Sequence, residues 1–278
     1  MNMKAQPENW PDGYWNDLAK LEILAIDKNY ENLQTWDKLA EKCMNLAIKA
    51  PFLPATNTNS RSLKLSAAFL KRAMSDFRGL WILINWGYPY QAACIAASLY
   101  ENALVVNCIS GRDDLADLII NNTGGDVPWK PQQLAKMAAQ RDLYGEIKSI
   151  PPKDQNFDNA WKLCYRNYKL LCKMKHPTLQ QVKDETEHAL NCNGQFVVIP
   201  FPDSRDSSLG LKHLIMIIAI SRIFSAAKCF AISSKCNHDN LDYKKFIDDA
   251  KEIYSDLQEH IRNSEISKIP IKLDKFPF

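Results

Sequence analysis

The sequence YQAACIAASLYENALVVNCI, which runs from Tyr90 to Ile109, decides the fold of this chain. Glu101 is its only charged residue, and it contains neither glycine nor proline. Small alanines are plentiful among bulkier apolar residues, a composition that lets neighbouring helices approach closely. A helix that is apolar on nearly every side belongs inside a helical bundle. We therefore predict a core helix over about residues 90–110.

A stretch of this length could also cross a membrane, so the two interpretations have to be compared. Glu101 would lie near the middle of such a span, where a carboxylate is costly. The polar residues Gln91, Ser98, Asn102 and Asn107 further weaken the case for a span. We prefer a buried core helix and expect no membrane partner.

The composition is that of a globular protein, with 46% hydrophobic and 24% charged residues in a chain of 278. The net charge of +3 is too small to indicate nucleic acid by itself, so any basic site would be local. Eight cysteines form no CxxC pair, and the N-terminus has no apolar signal region, so we expect reduced thiols in a cytoplasmic protein. We expect no cofactor, because nucleotide-binding motifs are absent, and no metal, because Cys236 and His238 supply only two ligands.

Breaks rich in proline, glycine and asparagine separate the periodic segments of the chain. We predict one all-α domain over 1–278, in three parts. An N-terminal arm and two helices fall in 1–60, a helical core falls in 61–190, and 191–278 holds an extended insert, two helices and an apolar tail. The predicted helices cover residues 14–26, 30–49, 61–86, 90–109, 131–147, 157–175, 179–190, 208–233 and 240–262.

The helix over 208–233 is the second predicted core helix. Its centre, LIMIIAI, is fully apolar, and the charged or ionisable residues that bound this centre are Lys212, His213, Arg222 and Lys228. The segment 195–202, QFVVIPFP, is the best strand-like run. Its prolines predict an edge strand or an extended connector.

Glu101 is the first candidate for chemistry because it is the single charge in an apolar helix. If buried, its carboxylate has to be paired, hydrogen-bonded or protonated. Arg72, Arg78 or Arg166 could supply a cation. One interpretation is a core ion pair that fixes helix register. The other is a catalytic acid or base with an altered pKa.

A row of basic residues on the helix over 157–175 is the second candidate. Successive members are 4, 3, 4 and 3 residues apart, which places them on one narrow side of a helix: Lys162, Arg166, Lys169, Lys173 and His176. We call this set the basic stripe. It is either a solvated face or a surface that accepts phosphates, with Trp161 and Tyr165 beside it for base stacking.

Two short motifs, SLYENA at 98–103 and YRNYKLLCKMKHPT at 165–178, resemble those of prokaryotic HEPN-type helical bundles. The relatives in question carry an R-S-x-x-E helix followed by a helix that ends in His-Pro. Ala97 stands where that pattern has its arginine, so the first motif is incomplete. The resemblance covers about residues 61–180.

The resemblance implies a protein that acts on RNA, in an antiviral defence or toxin system. Active members of the superfamily cut RNA without a metal, using an arginine a few residues before a histidine. His176 matches the histidine, but Arg166 is ten residues away, about 15 Å along a helix. Lys173 could replace the arginine as a phosphate contact, though without its bidentate geometry. Many members serve instead as binding or assembly modules.

Two hypotheses for function follow, and they differ in class. The first is a metal-independent endoribonuclease, in which His176 is the acid or base, the other members of the basic stripe contact phosphates, and Glu101 is a buried orienter. The second is a non-catalytic scaffold that assembles with a protein partner or with itself. The apolar tail Ile269–Phe278 and the two apolar helices favour it. A less favoured third hypothesis is a small-ligand pocket around Glu101 and Trp81.

Overall fold

The computed structural model describes residues 14–54, 60–148, 150–176, 190–192, 195–197 and 202–263. This part of the chain forms a bundle of eight α-helices, which confirms the predicted all-α class. The helices are α1 (Tyr14–Lys49), α2 (Arg61–Asn85), α3 (Pro89–Ile109), α4 (Asp113–Ile120), α5 (Pro131–Tyr144), α6 (Gln155–Lys175), α7 (Leu209–Ser233) and α8 (Leu241–Asn263). Two short strands, β1 (Leu190–Cys192) and β2 (Gln195–Val197), pair antiparallel.

Helix α3 lies at the centre of the bundle, as its composition predicts. It packs against α2, α5, α6 and α7. Leu99, Ala103 and Leu104 are fully buried in it, and so are most of its other apolar residues. The alanines have little side-chain volume, which is why helices can pack on several sides of α3.

Helix α7 is the second core helix, and it contacts α3, α2, α1 and α8. By length and composition, Pro89–Ile109 and Asp206–Ser233 could each cross a membrane. In each, however, 72% of the most apolar window is buried inside the bundle. The apolar surface of these helices is therefore mostly covered by neighbouring helices of the same chain, and it does not support the scaffold hypothesis.

Helix α1 corrects the prediction of two separate helices over 14–26 and 30–49, because it is continuous from Tyr14 to Lys49. The apolar period is interrupted at Asn29, which occupies a fully buried position between Ala25 and Leu33. The Asn29 amide donates to the backbone oxygen of Asn85 at 2.9 Å. In the sequence, this polar residue on the buried face therefore resembled the end of one helix and the start of another.

A tight turn at Gly87 joins α2 to α3 and also holds a distant loop. Gly87 has a φ of +84°, and its oxygen accepts a hydrogen bond from the Asp203 N–H at 2.7 Å. A Cβ at this position would lie 2.6 Å from the Asp203 nitrogen. Glycine is therefore required both by the backbone conformation and by the close approach of the loop.

The remaining helix boundaries agree closely with those predicted, with specific exceptions. The helix predicted over 131–147 ends at Tyr144, because Gly145 adopts a φ of +72° and caps it. Helix α4 was not predicted. The predicted strand-like run 195–202 is a strand over its first three residues.

Several other predictions fall on parts of the chain outside the described residues. They are the N-terminal arm over residues 1–13, the helix over 179–190 except for its last residue, which lies in β1, and the apolar tail Ile269–Phe278.

Candidate functional site

Helix α6 carries most of the predicted site, and local sequence fixes its start and orientation. The Asp154 carboxylate caps its first turn by accepting from the Phe157 N–H at 2.9 Å. The Tyr144 hydroxyl donates to the same carboxylate at 2.5 Å. Phe157 and Leu171 are buried on the side that faces the core, together with Cys164. The opposite side of α6, which carries the basic stripe, therefore faces outward.

The basic stripe lies on the protein surface. Lys162, Lys169, Lys173 and His176 are exposed, and Arg166 is half-buried. The Lys162 ammonium pairs with Asp158, one turn earlier, at 2.9 Å. The hydrogen bond from Lys162, followed by that from Trp161, holds the pKa of Asp158 below its usual value. One lysine of the stripe is thus partly neutralised by its own helix.

Three half-buried aromatic residues run along the edge of the basic stripe: Trp161, Tyr165 and Tyr168. We call them the aromatic row. The rings of Tyr165 and Tyr168 stack at 6.3 Å, and the Lys169 ammonium lies 5.0 Å from the centre of the Tyr165 ring. Lys136 of α5 lies 4.7 Å from the centre of the Trp161 ring. The predicted proximity of Trp161 and Tyr165 to the stripe is confirmed.

Glu101 is exposed, so the prediction of a buried carboxylate was wrong. It accepts a hydrogen bond from the Tyr168 hydroxyl at 2.5 Å. Burial raises the pKa of that hydroxyl, and its hydrogen bonds raise it further. Glu101 therefore meets α6 at the aromatic row, through a hydrogen bond to a tyrosine.

The pattern of α3 explains this error. Its exposed or half-buried residues recur at helical spacing and form a strip along one side of the helix: Tyr90, Gln91, Cys94, Ile95, Ser98, Glu101 and Asn102. The many alanines and valines elsewhere in the helix hid this strip. The spacing from Gln91 to Ser98 to Glu101 was the signal that could have revealed it.

His176 lies at the C-terminal cap of α6, where it is exposed. Its backbone N–H donates to the Cys172 oxygen at 3.2 Å. Tyr168, the contact of Glu101, is eight residues earlier, or about 12 Å along the helix. Lys173 is within one turn of His176. The structure thus brings His176 close to Lys173 and leaves Glu101 near the middle of α6.

A cavity of about 160 Å³ lies on the other side of α6, between α3, α5, α6, α7 and α8. Arg222 of α7 lines it, and its side chain is only 12% exposed. The guanidinium carbon lies 5.2 Å from the centre of the Tyr100 ring. Nε and Nη1 of Arg222 are buried without a hydrogen-bond partner, and so is the hydroxyl of Ser221, which also lines the cavity.

Asp142 is the counter-charge of Arg222, but the contact between them is loose. Asp142 Oδ2 lies 3.6 Å from Arg222 Nη1. The other carboxylate oxygen accepts from Asn107 at 3.1 Å and from the Ser225 hydroxyl at 2.8 Å. Asn107 is fully buried, so these bonds orient the carboxylate towards the cavity. The guanidinium keeps unused hydrogen-bonding capacity.

Trp81 does not line this cavity. It lines a groove between α1 and α2, together with Asp37, Phe77 and Arg78. Glu101 lines neither of these two spaces, so neither of them is the pocket proposed around Glu101 and Trp81.

A second cation, Lys212, is buried in the core of the bundle and serves packing. Its ammonium donates to Asn29 Oδ1 and to the Asp203 backbone oxygen, each at 2.7 Å. These bonds link α1, the loop before α7, and α7 itself. Burial lowers the pKa of Lys212 to about 8, although the nearby Asp203 carboxylate acts in the opposite direction.

The described residues contain no group of three or more histidine, cysteine or acidic side chains placed to hold a metal ion. The Cys236 thiol contacts the Asn237 oxygen at 3.7 Å, and the His238 ring packs against Tyr243 at 5.1 Å. Cys236 and His238 thus each have a contact within the fold.

Comparisons with protein-family models, with curated proteins and with solved structures find no match to this chain. The resemblance to HEPN-type bundles therefore stays a prediction, supported by the two short motifs alone.

Proposed function

We propose that this protein is an HEPN-like, defence- or toxin-associated protein that binds single-stranded RNA along helix α6. The basic stripe would contact the phosphates, and the aromatic row would stack against the bases. The observation that supports this proposal is the side-by-side arrangement of exposed cations and half-exposed rings on one surface of α6. Single-strand binding proteins combine the same two elements.

The lysines that now lie over the rings do not prevent stacking. The Lys169 ammonium is 5.0 Å from the Tyr165 ring centre, and the Lys136 ammonium is 4.7 Å from that of Trp161. Such contacts at exposed sites are worth about 0.5–1 kcal/mol. Stacking of a base on an aromatic ring is worth about 1–3 kcal/mol. A base can therefore displace the ammonium group, which then becomes available to a phosphate.

Cleavage is the second part of the proposal and concerns the C-terminal end of α6. His176 would accept the proton of an RNA 2′-hydroxyl, and Lys173, one turn earlier, would stabilise the charge on the attacked phosphate. The 2′-oxygen would bond to phosphorus as the bond to the 5′-oxygen breaks, which would give a 2′,3′-cyclic phosphate, and the 5′-oxygen would leave as a hydroxyl with a proton from water. Both side chains are exposed at the end of the basic stripe. Glu101 has no role in this step, since it contacts α6 about 12 Å from His176.

The binding proposal is tested by the salt dependence of affinity for a fluorescently labelled single-stranded RNA, measured by anisotropy. For single strands, the logarithm of the binding constant falls with the logarithm of salt concentration by about 0.7 for each phosphate contacted. The variant Lys169→Ala/Lys173→Ala should therefore lower the slope by about 1.4. The matched control is Lys38→Ala/Lys64→Ala, which removes two exposed lysines from α1 and α2. Equal slopes for the two double variants would refute the assignment.

The cleavage proposal is tested on a mixed RNA pool in the presence of EDTA. We expect cleavage by the wild type and none by His176→Ala, whose affinity for RNA should change little. Cleavage that persists in a folded His176→Ala variant would remove His176 from the reaction. If the wild type binds RNA with the expected salt dependence but does not cleave it, the cleavage proposal is refuted and the binding proposal stands.

The alternative is a scaffold that assembles through apolar surface. The specific observation in its favour is the exposure of large apolar residues on α1, where Trp15 is 80% and Leu24 is 64% exposed. Light scattering after gel filtration would show a dimer or larger assembly that weakens in Leu24→Glu and after deletion of Ile269–Phe278. A monomer at all concentrations would count against the scaffold.

A further inference from the structure

The geometry points to a binding site for a small amphipathic carboxylate in the cavity around Arg222. This site is independent of the proposed RNA surface, because it lies on the other side of α6 and is lined by residues of α3, α5, α7 and α8 as well. The inference rests on unused buried donors, on the charge of the cavity wall, and on the size and chemistry of the space.

The first argument is the set of buried donors. Arg222 Nε and Nη1 and the Ser221 hydroxyl are buried and make no hydrogen bond to the protein. A buried charged donor without a partner is costly, and native proteins leave few of them. Asp142, at 3.6 Å, balances part of the charge but does not satisfy these donors. None of these three atoms is exposed, even towards the cavity, so an oxyanion in the cavity would accept from them after the Arg222 and Ser221 side chains turn towards it.

The second argument is charge. Three ionised side chains line the cavity: Arg222, Lys228 and Asp142. Together they carry one net positive charge, which a monoanion neutralises. A phosphate dianion would carry one charge more and would lie near the Asp142 carboxylate, which disfavours it. Lys228 is exposed, so the cavity opens to the surface beside a cation that attracts anions.

The third argument is the shape of the space. Its volume of about 160 Å³ is close to that of an engineered protein cavity that binds benzene. Apolar side chains form much of the wall, among them Leu163, Ile218 and Phe224. The occupant therefore has an apolar part of about the size of a benzene ring and a carboxylate that reaches Arg222.

Benzoate is the probe that fits this description, and benzamide is its uncharged counterpart of nearly equal shape. On the full-length protein, calorimetric titration should give one benzoate site with a Kd on the order of 1 mM, as expected for so small a ligand. Benzamide should bind at least about tenfold more weakly, since hydrogen bonds from a charged donor to a charged acceptor are the stronger ones. Inorganic phosphate, the third probe, should bind more weakly than benzoate.

Two variants locate the site. Arg222→Met should remove the preference for benzoate over benzamide, and circular dichroism would show whether it folds. Ala160→Leu keeps Arg222 but fills the cavity, so neither benzoate nor benzamide should bind to it. This second test does not depend on whether Arg222→Met folds. Equal affinity for benzoate and benzamide, tighter binding of phosphate, absence of benzoate binding, or benzoate binding that survives Ala160→Leu would each overturn the inference.

Discussion

Lys212 allows a quantitative test of the fold, because its charge is buried in the core. Its side chain is fully buried, and its ammonium has two hydrogen-bond acceptors, Asn29 Oδ1 and the Asp203 oxygen. The perturbation is Lys212→Met, which removes the titrating group and keeps a side chain of similar length. We expect this substitution to change how stability depends on pH.

The magnitude follows from the shift in pKa. Burial lowers the pKa of Lys212 from 10.5 to about 8. Between these values the unfolded chain holds a proton that the folded chain has released, so the free energy of unfolding rises with pH. The full contribution is about 3 kcal/mol, present above pH 10.5 and lost as the pH falls towards 8. About 1 kcal/mol of it is gained between pH 7 and pH 9.

The assay is urea unfolding at pH 7 and at pH 9, for the wild type, Lys212→Met and a control, Lys38→Met, at an exposed lysine. Other groups titrate alike in all three proteins, so differences between proteins isolate Lys212. Between pH 7 and pH 9, the free energy of unfolding of the wild type and of the control should each rise by about 1 kcal/mol more than that of Lys212→Met. If all three proteins change stability by the same amount, the ammonium is not buried as the structure describes it.

Two further predictions concern the same region of the fold and use chemical denaturation. Gly87→Ala should destabilise the protein by about 3 kcal/mol or more, because it adds a clash with the loop at Asp203 to the strain of a positive φ. The control is Gly125→Ala, where φ is +73° and no atom lies within 4 Å of the added Cβ, and it should cost only about 1 kcal/mol. If Gly87→Ala and Gly125→Ala lose similar amounts of stability, the loop does not approach Gly87. Asn29→Leu should cost about 2–4 kcal/mol, since it leaves the Lys212 ammonium with one acceptor fewer. The double variant with Lys212→Met should lose less than the sum of the two single losses, and simple additivity would show that the two side chains are not coupled.

The two core helices were predictable because their composition alone requires burial. No surface arrangement could accommodate so many apolar residues in α3 and α7, whatever the rest of the chain did. The amphipathic helices α6 and α8 were predictable for the complementary reason, since their apolar and polar residues separate at helical spacing. The basic stripe and the rings of Trp161 and Tyr165 beside it followed from that spacing within one helix.

Polar residues on buried faces were harder to interpret. Asn29 interrupted the apolar period of α1, and only its partners in α2 and α7 explain why it is buried. Arg222 was taken as the charge that ends an apolar stretch. It continues the buried side of α7, one turn after Ile218 and one turn before Ala226, and that spacing was an available signal. The cavity itself could not be predicted, since its walls come from five helices that are distant in sequence.

The proposed RNA surface and the proposed carboxylate site lie on nearly opposite sides of α6, and this separation makes the two proposals independently testable. Ala160 lines the cavity, and Lys162 of the basic stripe follows two residues later, so their side chains point about 160° apart. Ala160→Leu should therefore abolish benzoate binding and leave the salt slope of RNA binding unchanged. Lys169→Ala/Lys173→Ala should lower the salt slope of RNA binding and leave benzoate binding unchanged. A change of both properties in either variant would mean that α6 couples the two sites, and the anion in the cavity would then act as an effector of RNA binding, with a coupling free energy that the two titrations measure.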